Sequence, residues 1–132
     1  MVKRTNWIPE RQDIIWIDCN PQTGCEMRDI HPFLVLSPNN FNDKTSLVIG
    51  LPMTTAKYNA DNPFAVSVGN ASGKKVNKIS YVLCHQPKSF DWRARCAKPH
   101  PLGVINDTLF SQICDRLNQI IQLTLKDCLI CF

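Results

Sequence analysis

Two polar segments hold most of the side chains capable of chemistry. Asn20 to His31 (NPQTGCEMRDIH) sets Glu26, Arg28, Asp29 and His31 close together, and Thr54 to Asn62 (TTAKYNADN) adds hydroxyls and Lys57. A carboxylate and an imidazole are candidates for proton transfer, and a guanidinium is a fixed donor for an anion. Loops carried on a rigid scaffold are a usual place for function. The same composition also suits two solvated polar loops, and from these residues alone both readings stand. Further along, Lys74, Lys75 and Lys78 form one basic cluster, and Lys88, Arg93, Arg95 and Lys98 form another, with Phe90 and Trp92 interleaved. Cations for phosphates and flat faces for bases are what a single-stranded nucleic acid needs. The net charge of +4 permits attraction to a polyanion without demanding it.

The elements that must position these residues read mainly as strands. Short apolar runs bounded by Pro, Gly, Asn or Asp follow one another: Asp13 to Cys19, Phe33 to Ser37, Ser46 to Leu51, Phe64 to Val68 and Ile79 to Cys84. Their β-branched and aromatic content favours strands over short helices. Pro21, Pro32, Pro38, Pro52, Pro63 and Pro87 stand at the run edges, where a missing N–H does least harm. Leu109, Ile113, Leu117, Ile120 and Ile121 recur at helical spacing and predict one long helix. Asn106 or Asp107 is placed to cap its first turn, and Lys126 suits the negative end of its dipole. Five or more strands followed by one helix predict a small, mostly antiparallel barrel closed or flanked by that helix.

A chain of 132 residues, 44% hydrophobic and 20% charged, fits one soluble domain with a modest core. No apolar run approaches the ~20 residues needed to cross a bilayer. The basic start MVKRTNW is followed by Ile8 to Glu10 where a signal peptide needs an apolar core, so a cytoplasmic location is expected. The seven cysteines are an odd number for a disulfide framework. Cys19, Cys25, Cys84, Cys96 and Cys114 are scattered singly and are expected as reduced, mostly buried small hydrophobes. Cys128 and Cys131 have metal-ligand spacing, but a lone pair supplies half a zinc site and no second pair accompanies it.

Four stretches carry a resemblance: PERQDIIWIDCNPQTGCE, HPFLVLSPNNFNDKT, GLPMTT and CHQPKSFDWRAR. In this order and spacing, over roughly residues 8 to 122, the chain resembles the MazF/PemK toxins of bacterial toxin–antitoxin pairs. The segment ISYVLCHQPKSFDWRARCAK, Ile79 to Lys98, is the firmest part of the match. The resemblance implies a mostly β, α+β fold: a small SH3-like barrel of the MazF/PemK/CcdB type with a C-terminal helix, forming a homodimer. Residues 1–122 would be the single domain, and 123–132 an extension of the last helix or a tail that buries Leu129, Ile130 and Phe132 on a neighbour. The implied activity is sequence-specific cleavage of single-stranded RNA without metal or cofactor, by attack of the substrate's own 2′-hydroxyl on the adjacent phosphate. A cognate antitoxin would restrain it.

Such a reaction needs a base, an acid and donors for the phosphorane charge. By position in the motifs, Glu26 stands as the base or its orienting partner, and Thr54 as a hydroxyl donor to a nonbridging oxygen. His31 stands where the family has an arginine, and its ordinary pKa of ~6.5 suits proton transfer but not a bidentate clamp. Arg28 is placed to take over the phosphate contact. His85 replaces the aspartate of the family's DQ and offers a second imidazole. These five form the expected catalytic set, and Lys57, Gln86, Lys88 and Arg93 the expected RNA-binding set. Bracing of the barrel is the competing reading for at least one of Arg93 and Arg95, and Gln12, in place of a glycine, is expected only to alter a turn. Two alternatives keep the fold and change the function: a weakened or inactive protein that binds RNA or antitoxin, and a gyrase poison of the CcdB type.

Overall fold

A computed structural model of the chain describes residues 6–20, 29–69 and 79–122. The apolar runs become strands, in the order β1 (Asp13–Asp18), β2 (Ile30–Val35), helix α1 (Asn39–Thr45), β3 (Leu47–Thr54), a 3-10 turn (Lys57–Asp61), β4 (Ala65–Ser67), β5 (Tyr81–Leu83), β6 (Lys88–Asp91), β7 (Lys98–Val104) and helix α2 (Asp107–Ile120). All pairings are antiparallel. The hydrogen-bonded path runs β4-β5-β3-β2-β1-β7, with β6 on β3. Among the described residues no pairing joins β4 to β7, so the sheet is open where a closed barrel was expected. The two ends explain this: β4 and β5 have three residues each, and β7 carries Pro99 and Pro101, which have no N–H to offer a further strand.

Both faces of the central strands are buried, which is why β1 and β2 read as continuous apolar runs. On one face Ile14, Leu34, Leu51, Met53, Val66, Val82, Cys84 and Ile105 pack with Ile113 of α2. On the other, Ile15, Ile17, Cys19, Phe33, Val35 and Val48 pack with Phe90 and Trp92. Consecutive residues of one strand thus serve opposite cores. Gly50 permits the close fit of β3 on β2, because a Cβ there would lie 2.0 Å from the Leu34 carbonyl oxygen and 2.6 Å from the Phe33 ring.

Several expectations are revised. Pro32 and Pro52 lie inside β2 and β3 rather than at run edges. Strands β6 and β7 and helix α1 were not anticipated, because they are polar or proline-containing. Helix α2 is capped by Asn106, whose side chain accepts the Leu109 N–H at 2.8 Å. Ile113 is fully buried and Leu109 and Leu117 pack against the core, but Ile120 and Ile121 are exposed, so the buried stripe ends one turn early. Cys19 and Cys84 are buried as expected, whereas Cys96 and Cys114 are exposed; all four are free thiols. Gln12 does more than alter a turn: at φ +81° it holds a left-handed conformation, and its amide donates to the Ile105 carbonyl and the Asp107 carboxylate, both at 2.7 Å. That ties the entrance of β1 to the start of α2. No helix among the described residues is long and apolar enough to cross a membrane. Lys74, Lys75, Lys78, Cys25, Lys126, the Cys128/Cys131 pair and the 123–132 extension lie outside the described residues.

Candidate active site

The antiparallel register brings the end of β3 beside the start of β2. Phe33 pairs with Pro52, so the residues that follow Pro52 run past those that precede Phe33. An open groove of about 190 Å³ forms there, lined by Trp16, Ile30, His31, Pro32, Met53, Thr54, Thr55 and Ser80. His31 and Thr54 are therefore two expected catalytic residues that share one cavity. His31 is half-buried in β2 opposite Ile17. The Thr54 hydroxyl oxygen accepts the Ala56 N–H at 3.2 Å, which holds the side chain and leaves its O–H to donate to an anion.

The base of the first polar loop is pinned next to this groove. Asn20 and Asp29 face each other: the Asp29 N–H donates to Asn20 Oδ1 at 3.2 Å, the Asn20 amide donates to Asp29 Oδ1 at 3.3 Å, and the Cys19 N–H donates to the Asp29 carbonyl at 2.7 Å. Asp29 has φ +64°, the left-handed turn that delivers the chain into β2. Glu26 and Arg28 lie outside the described residues.

His85 is placed elsewhere. It is exposed in the turn after β5, its ring centroid 6.3 Å from that of Phe64, and it does not line the groove with His31. Gln86 Nε2 lies 3.4 Å from His85 Nε2, while Gln86 Oε1 is buried with no hydrogen-bond partner among the described residues. Lys57 is exposed at the start of the 3-10 turn, and Lys88 lies in β6 opposite Gly50.

Arg93 is a brace. Its guanidinium donates to the Asp43 carbonyl at 3.0 Å and to Asp43 Oδ1 at 2.9 Å, and it lies 4.3 Å over the Trp92 ring. Arg95 is another: it donates to the carbonyls of Asp18 and Asn20 and stacks 4.6 Å over Phe90. Trp92 Nε1–H donates to the carbonyl of fully buried Asn42 at 2.8 Å. The Asn42 amide in turn donates to the Pro9 and Ser37 carbonyls at 2.8 and 3.1 Å. The WRAR segment and the NNFN helix thus lock one another.

A larger groove of about 350 Å³ adjoins the first and is lined by Trp16, Ile17, Asp18, Ile30, Ala94, Arg95, Cys96 and Lys98. Trp16, Ser80 and Thr55 were not singled out from the sequence. Trp16 reads there as one more apolar strand residue, and only the register shows that it faces a cavity. Two groups near the first loop and strand are shifted by burial. Desolvation pushes the Cys19 thiol up to about 11, against a smaller opposing pull from Arg95. Asp13 is raised, by desolvation first, with the hydrogen bond from the Glu10 N–H working the other way.

Residues 10–121 match the family model of the PemK-like, MazF-like toxin of type II toxin–antitoxin systems. The chain belongs to the MazF/PemK family. It is 37% identical to the endoribonuclease toxin MazF of Escherichia coli (strain K12) over 97 residues, 74% of this chain and 79% of that one. The crystal structure of MazF from Deinococcus radiodurans superposes with a TM-score of 0.73 at 28% identity, covering 89% of this chain and 100% of that one. A MazE–MazF structure from the same organism gives a TM-score of 0.69 at 28% identity, covering 89% of this chain and 100% of that one. In this MazF/PemK member the motif residues divide in two: His31 and Thr54 open onto a groove, while Asn42, Trp92, Arg93 and Arg95 hold the frame around it.

Proposed function

We propose that this MazF/PemK toxin is a sequence-specific endoribonuclease that cuts single-stranded RNA through the 2′-hydroxyl of its substrate. The convergence of His31 and Thr54 on one open groove carries this reading, and Glu26 and Arg28 join it by their place in the motifs. Glu26 takes the proton of the attacking 2′-hydroxyl. The oxygen then bonds to the adjacent phosphorus, and the P–O bond to the 5′-oxygen breaks. His31 delivers a proton to that leaving oxygen, so the products are a 2′,3′-cyclic phosphate and a 5′-hydroxyl. Thr54 O–H and the Arg28 guanidinium donate to the nonbridging oxygens as charge builds on them. The step consumes no metal and no cofactor. His85, Gln86, Lys57 and Lys88 serve farther along the strand, as contacts to bases or backbone.

Restraint of the toxin by an antitoxin is supported by the family and by the MazE–MazF structures from Deinococcus radiodurans. Its cytoplasmic location is where RNA and antitoxin would both be met. A homodimer would also give Leu102 and Val104, exposed on edge strand β7, something to bury. Incubation of the purified protein with a long transcript in EDTA tests the reaction. Cuts bearing 5′-hydroxyl and 2′,3′-cyclic phosphate ends are expected, and a 2′-deoxy nucleotide at a mapped cut site is expected to protect it. RNA left full-length by a folded protein, after long incubation, would sink the proposal.

A further inference from the structure

The smaller groove continues past His31. Trp16 and Ile30 line both it and the larger groove, so Trp16 stands where the two meet. In the sheet, Trp16 pairs with Pro32 on one side and with Lys98 on the other. Trp16 is half-buried and lines both cavities. Lys98 and Arg95 line the far side. An aromatic face flanked by cations, continuous with a phosphate-sized site, is the arrangement that single-stranded nucleic acid exploits.

Trp16 packs against a ring from the neighbouring strand β7. His100 is the one buried side chain of β7 and is only 3% exposed. Its ring centroid lies 4.5 Å from that of Trp16, with the planes 39° apart. His100 Nδ1 accepts the Leu102 N–H at 3.0 Å, which fixes the rotation of the imidazole about its own stem. The indole is thus set against a ring that cannot turn.

We infer that Trp16 is the stacking platform for a nucleobase of single-stranded RNA beside the phosphate held at His31 and Thr54, and that His100 is the positioning residue for that platform. This rests on the ribonuclease reading above. The base lies on the indole and the strand leaves along the larger groove, with the Lys98 ammonium near its next phosphate. Arg95, whose guanidinium is engaged with the Asp18 and Asn20 carbonyls, supplies field rather than a clamp.

The test begins from a cut site mapped in a long transcript. A short RNA spanning that site is made with a 2′-deoxy nucleotide at the cut, so that binding is read without cleavage. A series then carries one abasic nucleotide at each flanking position. The unaltered protein is expected to lose roughly 5- to 100-fold in affinity at one of these positions. Trp16→Ala is expected to bind the intact RNA only as well as the unaltered protein binds that abasic version, and to lose nothing more at that position. Trp16→Phe keeps the flat face and most of the affinity. His100→Ala is expected to blunt the same abasic position and to raise KM more than it lowers kcat, while His100→Phe, which keeps a ring against the indole, restores both. An abasic profile unchanged in Trp16→Ala would overturn the platform while leaving the ribonuclease reading intact. A profile and KM unchanged in His100→Ala, or a His100→Phe that is folded but no better than a failing His100→Ala, would overturn the positioning role. If the unaltered protein cuts no transcript, both readings fall.

Discussion

At position 31 the chain has an imidazole where the family pattern has a guanidinium, and the two groups are not interchangeable in phosphate chemistry. A guanidinium stabilises charge at any physiological pH but cannot give up a proton; an imidazole does both, within a limited pH range. His31→Ala is therefore expected to lower kcat by about 10²- to 10⁴-fold, the usual range for a general acid. His31→Arg is expected to recover part of that rate while abolishing the pH-dependent limb that the proposed proton donation from His31 requires, because charge stabilisation survives and proton transfer does not. Cleavage of a fixed RNA across pH 5 to 9 checks both. A limb that persists in His31→Arg would assign it to another group. Thr54→Val, nearly isosteric, removes one donor to the phosphorane and is expected to cost about 10²- to 10³-fold in kcat with little change in KM. His31 and Thr54 were legible in the sequence because they sit inside motifs. Trp16 and His100 were not, since nothing in IIWID or KPHPLG says which ring meets which. That contact is made by the pairing of β1 with β7, a long-range fact.

The elements were legible in proportion to how apolar they are. The five apolar runs and the C-terminal helix are legible, but β6 (KSFD) reads only as part of a basic and aromatic motif, and β7 (KPHPLGV) gives no strand signal. Their sequences bury only Phe90 and His100, so period and hydrophobicity give almost no signal, and tertiary pairing makes the strands. The open sheet follows from the same polar, proline-bearing edge. Gly50, in contrast, has no physical role legible in GLPMTT, and the fold supplies one. A methyl group at this position would meet the Leu34 carbonyl oxygen at 2.0 Å, a backbone atom that cannot swing away. Gly50→Ala is expected to destabilise the protein by about 1–3 kcal/mol or more through overpacking between β2 and β3. Urea unfolding followed by tryptophan fluorescence checks this, with the midpoint falling at an unchanged slope. A variant as stable as the parent would show that the two strands are free to separate.

At the scale of the whole molecule, one sheet divides two cores, and among the described residues each core holds one buried thiol. Cys84 packs with the α2 side and Cys19 with the Trp92 side. Burial pushes both thiols from an ordinary 9.0 up to about 11, so the neutral form is the one the fold prefers. A group whose pKa is raised by folding stabilises the native state below its unfolded value and ceases to do so as pH climbs through its folded value. Stability is therefore expected to fall between about pH 9 and 11 on account of these two residues, and Cys19→Ala or Cys84→Ala to flatten that fall while costing stability at pH 7 through the small cavity left behind. The thiols also report whether the cores are separable. Strands β1, β2 and β3 contribute side chains to both, through Ile14 and Ile15, Leu34 and Phe33, Leu51 and Val48, so neither core can open without disturbing the backbone of the other. Pulsed alkylation at pH 8 with peptide mapping is expected to label exposed Cys96 first, and Cys19 and Cys84 late and at matched rates, as cooperative opening requires. Ile113→Ala, which empties a fully buried site under α2, is expected to accelerate both by the same factor. Cys84 labelled well ahead of Cys19 in that variant would mean instead that α2 lifts off by itself, leaving the Trp92 side intact.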